Sequence, residues 1–196
     1  MKRVAAFSLA LILTLPAAAF AQHAGPAPDT TVAAEGGQFD YLLGQWEIEV
    51  HPKVGTLVAM IHGTPKLVGT WKAWRTLDNL GVEDEMRIVD GSGNPITLNR
   101  SLRLYSKGDA SWKIVNIDAY HGRIGQSTGH WKDKEMHLEG RFTEADGEVT
   151  ITRLRYFDIT ADSFHISEDR SSDEGKTWDE GVLTIDAKRT AATATP

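Results

Sequence analysis

Asn116 and Asp118 continue the apolar face of Trp112 and Ile114 along a run of alternating residues. Arg153 and Arg155 likewise continue the face of Val149, Ile151 and Phe157. His165 lies between Phe164 and Ile166, on the opposite side from both. Residues two apart in an extended chain share a face. Polar groups in phase with apolar ones suit an apolar cup with a polar floor, which is the make-up of a small-molecule pocket. Trp71 and Trp74 are three apart and point to opposite faces, so at least one of them is a candidate to line such a cup or cover an outer surface, and Trp71 is the candidate for the cup. The candidate ligand site is therefore Trp71, Asn116, Asp118, Arg153, Arg155 and His165. The same set could do cofactor-free chemistry, with Asp118 or His165 as acid or base and Arg153 or Arg155 steadying an oxyanion. An Asp118 sealed against an arginine favours binding, and an unpaired Asp118 in an open pocket favours catalysis. Alternation leaves a second orientation open, with Leu154 and Tyr156 inward and the two arginines in solvent.

Other chemistries lack their spacings. The seven histidines include no His-x-His or His-Glu-x-x-His pair, and there is no cysteine, so no metal site and no disulfide is expected. Neither a Gly-x-Ser-x-Gly elbow nor a P-loop is present. Gly91-Ser92-Gly93 and Gly122-Arg123-Ile124-Gly125 read as turns rather than as loops opening helices, so no phosphate cradle and no cofactor is expected.

Short strands must position these groups. Alternating or β-branched segments recur roughly every ten residues from Phe39 onward, separated by turn signals such as Asp90-Gly91-Ser92-Gly93-Asn94-Pro95 and Ala145-Asp146-Gly147. Val82, Asp84, Met86 and Ile88 share one side of a strand, and Trp46, Ile48 and Val50 share one side of another. No segment carries sustained helical periodicity. About nine or ten strands joined by tight turns predict an all-β, antiparallel up-and-down barrel, which hides its own edges, with a β-sandwich as the alternative.

The first residues set the compartment. Lys2 and Arg3, an apolar run from Val4 to Leu15 and the small-x-small site Ala19-Phe20-Ala21 predict a signal peptide over residues 1–21, cut after Ala21. The protein is expected in the periplasm or medium. Residues 22–38 read as a flexible leader, 39–190 as one domain and 191–196 as a disordered tail. The cleaved chain carries 19 Lys and Arg against 27 Asp and Glu, a formal charge of −8. That balance argues against nucleic acid and anionic membranes as partners. No stable membrane insertion is expected. The expected partner is a small apolar or amphipathic molecule.

Two resemblances bear on the fold. Gly44-Gln45-Trp46 on the first strand, with Arg189 ending the last, resembles the opening of lipocalin-like (calycin) barrels. That resemblance implies a Trp closing one end of the barrel and an Arg packed across it. Phe39-Asp40-x-Leu42-x-Gly44-x-Trp46, a Gly-x-Trp-like middle and Ser171-x-Asp173-x-Gly175-x-Thr177-Trp178 look like a bacterial family of secreted proteins with a barrel of this kind. It implies a fold and brings no catalytic residues. The last motif also resembles the Asp-box of sialidase propellers. A single copy in a chain too short for six blades predicts a hairpin turn tied by Asp173, with positive φ at Gly175 and Trp178 beneath.

Overall fold

The computed structural model describes residue 27, residues 29–143 and residues 147–190. The signal peptide and the tail, expected over 1–21 and 191–196, lie outside the described residues. Ten antiparallel strands close on themselves in the order β1-β10-β9-β8-β7-β6-β5-β4-β3-β2. The strands are β1 (Gly44–Pro52), β2 (Leu67–Thr76), β3 (Gly81–Asp90), β4 (Pro95–Ser106), β5 (Ser111–Asp118), β6 (Arg123–Lys132), β7 (Glu135–Thr143), β8 (Val149–Phe157), β9 (Ser163–Ser171) and β10 (Asp179–Arg189). Closure rules out the sandwich and leaves no strand edge unpaired among the described residues.

Alternation sets the inside. Trp46, Ile48 and Val50 of β1 are buried while Glu47 and Glu49 between them are exposed. Val82, Asp84 and Ile88 of β3 point inward as their period requires.

One end of the barrel is packed shut. A 3-10 helix (Ala34–Leu42) lies across it and buries Phe39 and Leu42 completely. Phe39 meets Trp112 edge to face at 4.8 Å, and Trp46 meets Phe164 at the same distance. The indole N–H groups, which need partners once buried, donate to this helix: Trp46 to the Leu42 carbonyl (2.7 Å) and Trp112 to Gln38 Oε1 (3.0 Å). Residues 34–38, expected in the leader, thus belong to the packed structure. They carry few apolar side chains and contribute backbone and amide groups instead.

Arg189 crosses Trp46 as the resemblance implies, with its guanidinium 4.1 Å from the ring centroid. It donates to the carbonyls of Leu43 (2.6 Å), Tyr41 (2.9 Å) and Ala161 (2.7 Å). Gly44 makes room: its φ is +117°, and a Cβ there would lie 2.6 Å from the guanidinium.

The opposite end carries the β1–β2, β3–β4, β5–β6, β7–β8 and β9–β10 connections. The first contains α1 (Thr56–His62), a seven-residue helix without a sequence signal because two turns are too short to show a period. Ser171 to Trp178 forms the β9–β10 hairpin. Asp173 accepts from the Thr177 amide (2.9 Å) and hydroxyl (2.7 Å), and Gly175 has φ +84°. The motif is a turn here, as expected.

Replacing Arg189 by Met should remove three hydrogen bonds and the stacking together, for a loss of about 2–4 kcal/mol. A urea melt should show a lower midpoint at unchanged slope. Lys at 189 should not restore it, since one ammonium cannot span three carbonyls across an indole face. A change under about 0.5 kcal/mol, the size of an ordinary surface substitution, would contradict the role.

Candidate ligand cavity

The half of the barrel away from the 3-10 helix is hollow. A cavity of about 280 Å³ opens between the connections at that end. Small inward residues on neighbouring strands create it: Ser101 on β4, Gly125 and Ser127 on β6, Gly140 on β7 and Thr152 on β8. Gly125 does the most. Phe142 lays its ring where a Gly125 Cβ would stand, so the ring lies along the wall instead of across the cavity. Gly122-Arg123-Ile124-Gly125 is therefore only partly a turn. Gly122 turns with φ +62°, while Gly125 sits inside β6.

The walls are unlike. Trp71, Met86, Ile88, Ile166 and Leu183, on β2, β3, β9 and β10, form an apolar side. Facing them, β4 to β6 and β8 carry a band of short polar groups. Ser101 donates to Asn116 Oδ1 (2.8 Å), and Asn116 Nδ2 donates to Ser127 Oγ (3.4 Å). At the floor, Asp84 and Arg103 form an ion pair with both side chains 2 % exposed. Trp71 Nε1 donates to Asp84 Oδ1 (2.9 Å). At the mouth, the Asp118 side chain is 14 % exposed and takes Arg123 Nη2 (3.1 Å) and His121 Nδ1 (2.8 Å). Burial pushes the Asp118 carboxyl up, but the hydrogen bonds from Arg123 and His121 outweigh it and hold the group below its ordinary range.

The structure brings together three of the six expected site residues. Trp71, Asn116 and Asp118 line the cavity. Arg153 and Arg155 do not: β8 turns Thr152, Leu154 and Tyr156 inward and both arginines out. Outside, Arg153 lies 3.7 Å from the Trp178 ring centroid and 3.5 Å from Glu139, and Arg155 lies 4.3 Å from the Phe157 ring centroid. His165 is also outside, with Nδ1 2.6 Å from Asp186, whose other oxygen meets His51 at 3.1 Å. Burial raises the Asp186 carboxyl less than these two histidines lower it, so it sits below its ordinary value. The error was one of phase. Both faces of β8 carry apolar residues, so alternation pairs Arg153 with Arg155 without saying which way they point.

Sequence reasoning missed Asp84, Arg103, Arg123, Thr152 and Glu168. Asp84 did have a signal, as a lone carboxylate in phase with Val82, Met86 and Ile88. Among the described residues no group of three or more His, Asp or Glu is placed to hold a metal ion, and no helix is long and apolar enough to cross a membrane.

The S-type phycobiliprotein lyase CPES from Guillardia theta has a similar structure. It is 11 % identical, with a TM-score of 0.51 over 79 % of this chain and 91 % of the lyase. The two share the fold of a β-barrel. Two others match more loosely. EF1p2_mFAP2b bound to DFHBI is 8 % identical with a TM-score of 0.39, over 80 % of this chain and 100 % of that one. A de novo designed fluorescence-activating beta barrel is 12 % identical with a TM-score of 0.35, over 77 % and 95 %. No protein-family profile and no curated protein matches the sequence. At these identities the likeness speaks for fold alone.

Gly125→Ala should push the Phe142 ring into the cavity and destabilise the protein by about 1–3 kcal/mol, as overpacking does. A crystal structure should show the cavity reduced, and adding Phe142→Leu should reopen it. An unchanged cavity in Gly125→Ala would contradict this account of the space.

Proposed function

We propose that this chain is an exported small-molecule-binding protein that holds an amphipathic ligand in the hollow half of its barrel. The observation that carries the reading is the cavity itself, with one apolar wall, one hydrogen-bonding wall and an open end. A core serving stability alone would fill that space, because protein interiors pack to the density of organic crystals. The mixed lining favours an amphipathic molecule over the largely apolar one suggested by the sequence. Export rests on the sequence features of residues 1–21.

The alternative, a cofactor-free enzyme in the same cup, is less well supported. Its acid or base Asp118 is held by Arg123 and His121, and the other candidate, His165, is bound to Asp186 on the outer face. Arg153 and Arg155, the candidate oxyanion groups, are also outside. The set that would act together is spread over two sides of the wall.

Native mass spectrometry of the protein purified from its own periplasm or medium should show an added non-covalent mass that is absent after denaturation. The bare mass under both conditions would weigh against a resident ligand and against this function.

A further inference from the structure

We propose that the molecule taken up by this cavity carries no net charge and presents a hydrogen-bonding oxygen to the Thr152 hydroxyl. The inference rests on the ligand-binding reading above and narrows it.

The charge argument comes from the lining. Six ionisable Asp, Glu or Arg side chains face the cavity: Asp84, Asp118, Glu168, Arg103, Arg123 and Arg170. Each carboxylate has an arginine partner. Asp84 pairs with Arg103, Asp118 with Arg123 at 3.1 Å, and Glu168 with Arg170 at 2.6 Å. A charge carried into this space must find a counter-ion or lose its hydration unrewarded. Taking one from the wall would leave that residue's own partner stranded. The balanced lining therefore selects against anions and cations alike, and leaves hydrogen bonds to orient what binds.

The polar handle is Thr152. It is 4 % exposed, lines the cavity, and its Oγ1 has no hydrogen-bond partner among the described residues. Buried hydroxyls in folded proteins are almost always paired. Its neighbourhood is built for approach. Gly140 separates β6 from β8, and a Cβ there would lie 2.7 Å from Ser127 Oγ and 2.9 Å from Thr152 Oγ1. The missing side chain lets both hydroxyls crowd over the same backbone position. Ser127 already accepts from Asn116, which is tied to Ser101. The chain Ser101–Asn116–Ser127 thus ends beside a buried hydroxyl that has no partner among the described residues. The Oγ1 atom itself has almost no accessible surface, so a turn of Thr152 about χ1 must bring it to a carbonyl or hydroxyl oxygen in the cavity, which would complete the band while the rest of the molecule meets the apolar wall.

The test is calorimetric titration of the full chain, near neutral pH, with four probes sharing one ring system. They are 2-naphthol, 2-methylnaphthalene, 2-naphthoate and 2-naphthylmethylammonium. 2-Naphthol should bind tightest, roughly tenfold or more above either ion. Thr152→Val keeps the shape and removes the hydroxyl. It should weaken 2-naphthol about tenfold and leave 2-methylnaphthalene unchanged. Thr152→Ser should restore 2-naphthol. A charged probe binding as tightly as 2-naphthol, or Thr152→Val leaving 2-naphthol unaffected, would overturn the proposal while binding itself stood. Failure of all four probes on the wild-type protein would overturn the proposal and the ligand-binding reading together.

Discussion

A charge pair at the middle of the barrel divides the molecule. Asp84 and Arg103 meet on adjacent strands with almost no exposure, although two ions taken out of water are costly to bury. Each is held from a second side. The Trp71 indole N–H donates to Asp84 at 2.9 Å, and the Arg103 guanidinium lies 5.1 Å over the Phe39 ring. Phe39 belongs to the 3-10 helix that fills one end, and Trp71 belongs to the wall of the cavity. The pair is therefore the floor where the packed half stops and the hollow half starts.

Closure and hollowness make different demands on the sequence. Closing the barrel needs large residues at one end: Trp46, Trp112, Phe39 and Phe164, bound together by edge-to-face contacts and pinned by Arg189. Keeping the other end open needs small ones. Gly125 lets Phe142 lie flat, and Gly140 lets two hydroxyls converge. A ten-stranded barrel is wide enough that its interior need not be filled by side chains along its whole length. Large residues at one end and small ones at the other turn that width into a one-mouthed cup.

Most of the fold was legible because it depends on local pattern. Alternation along β1, β3 and β5 identified strands and their inner faces, and Gly44-x-Trp46 with Arg189 pointed to the closed end. Asn116 and Asp118 were placed on the inner face with Trp112 and Ile114, although Val115 and Ile117 make the outer face of β5 apolar too. Arg153, Arg155 and His165 were misplaced. β8 is apolar on both faces, and His165 faces out to Asp186 of β10 because Phe164 and Ile166 on either side of it are buried. Arg103 was hidden for a related reason: an inward arginine makes sense only beside Asp84, about twenty residues away in sequence and adjacent only once β3 pairs with β4. Gly125 was read as a turn because a glycine that makes room for a distant ring has the same letter as one that turns the chain.

The central claim, that the Asp84–Arg103 pair is the coupled floor of the cup, is tested most directly by a double-mutant cycle on stability with Asp84→Asn, Arg103→Met and the two combined. The account predicts that each single change costs about 3–5 kcal/mol, because it strands a buried partner, and that the double variant loses far less than the sum. Strictly additive losses would mean that the two residues stabilise the barrel independently, and the floor described here would not exist as a unit.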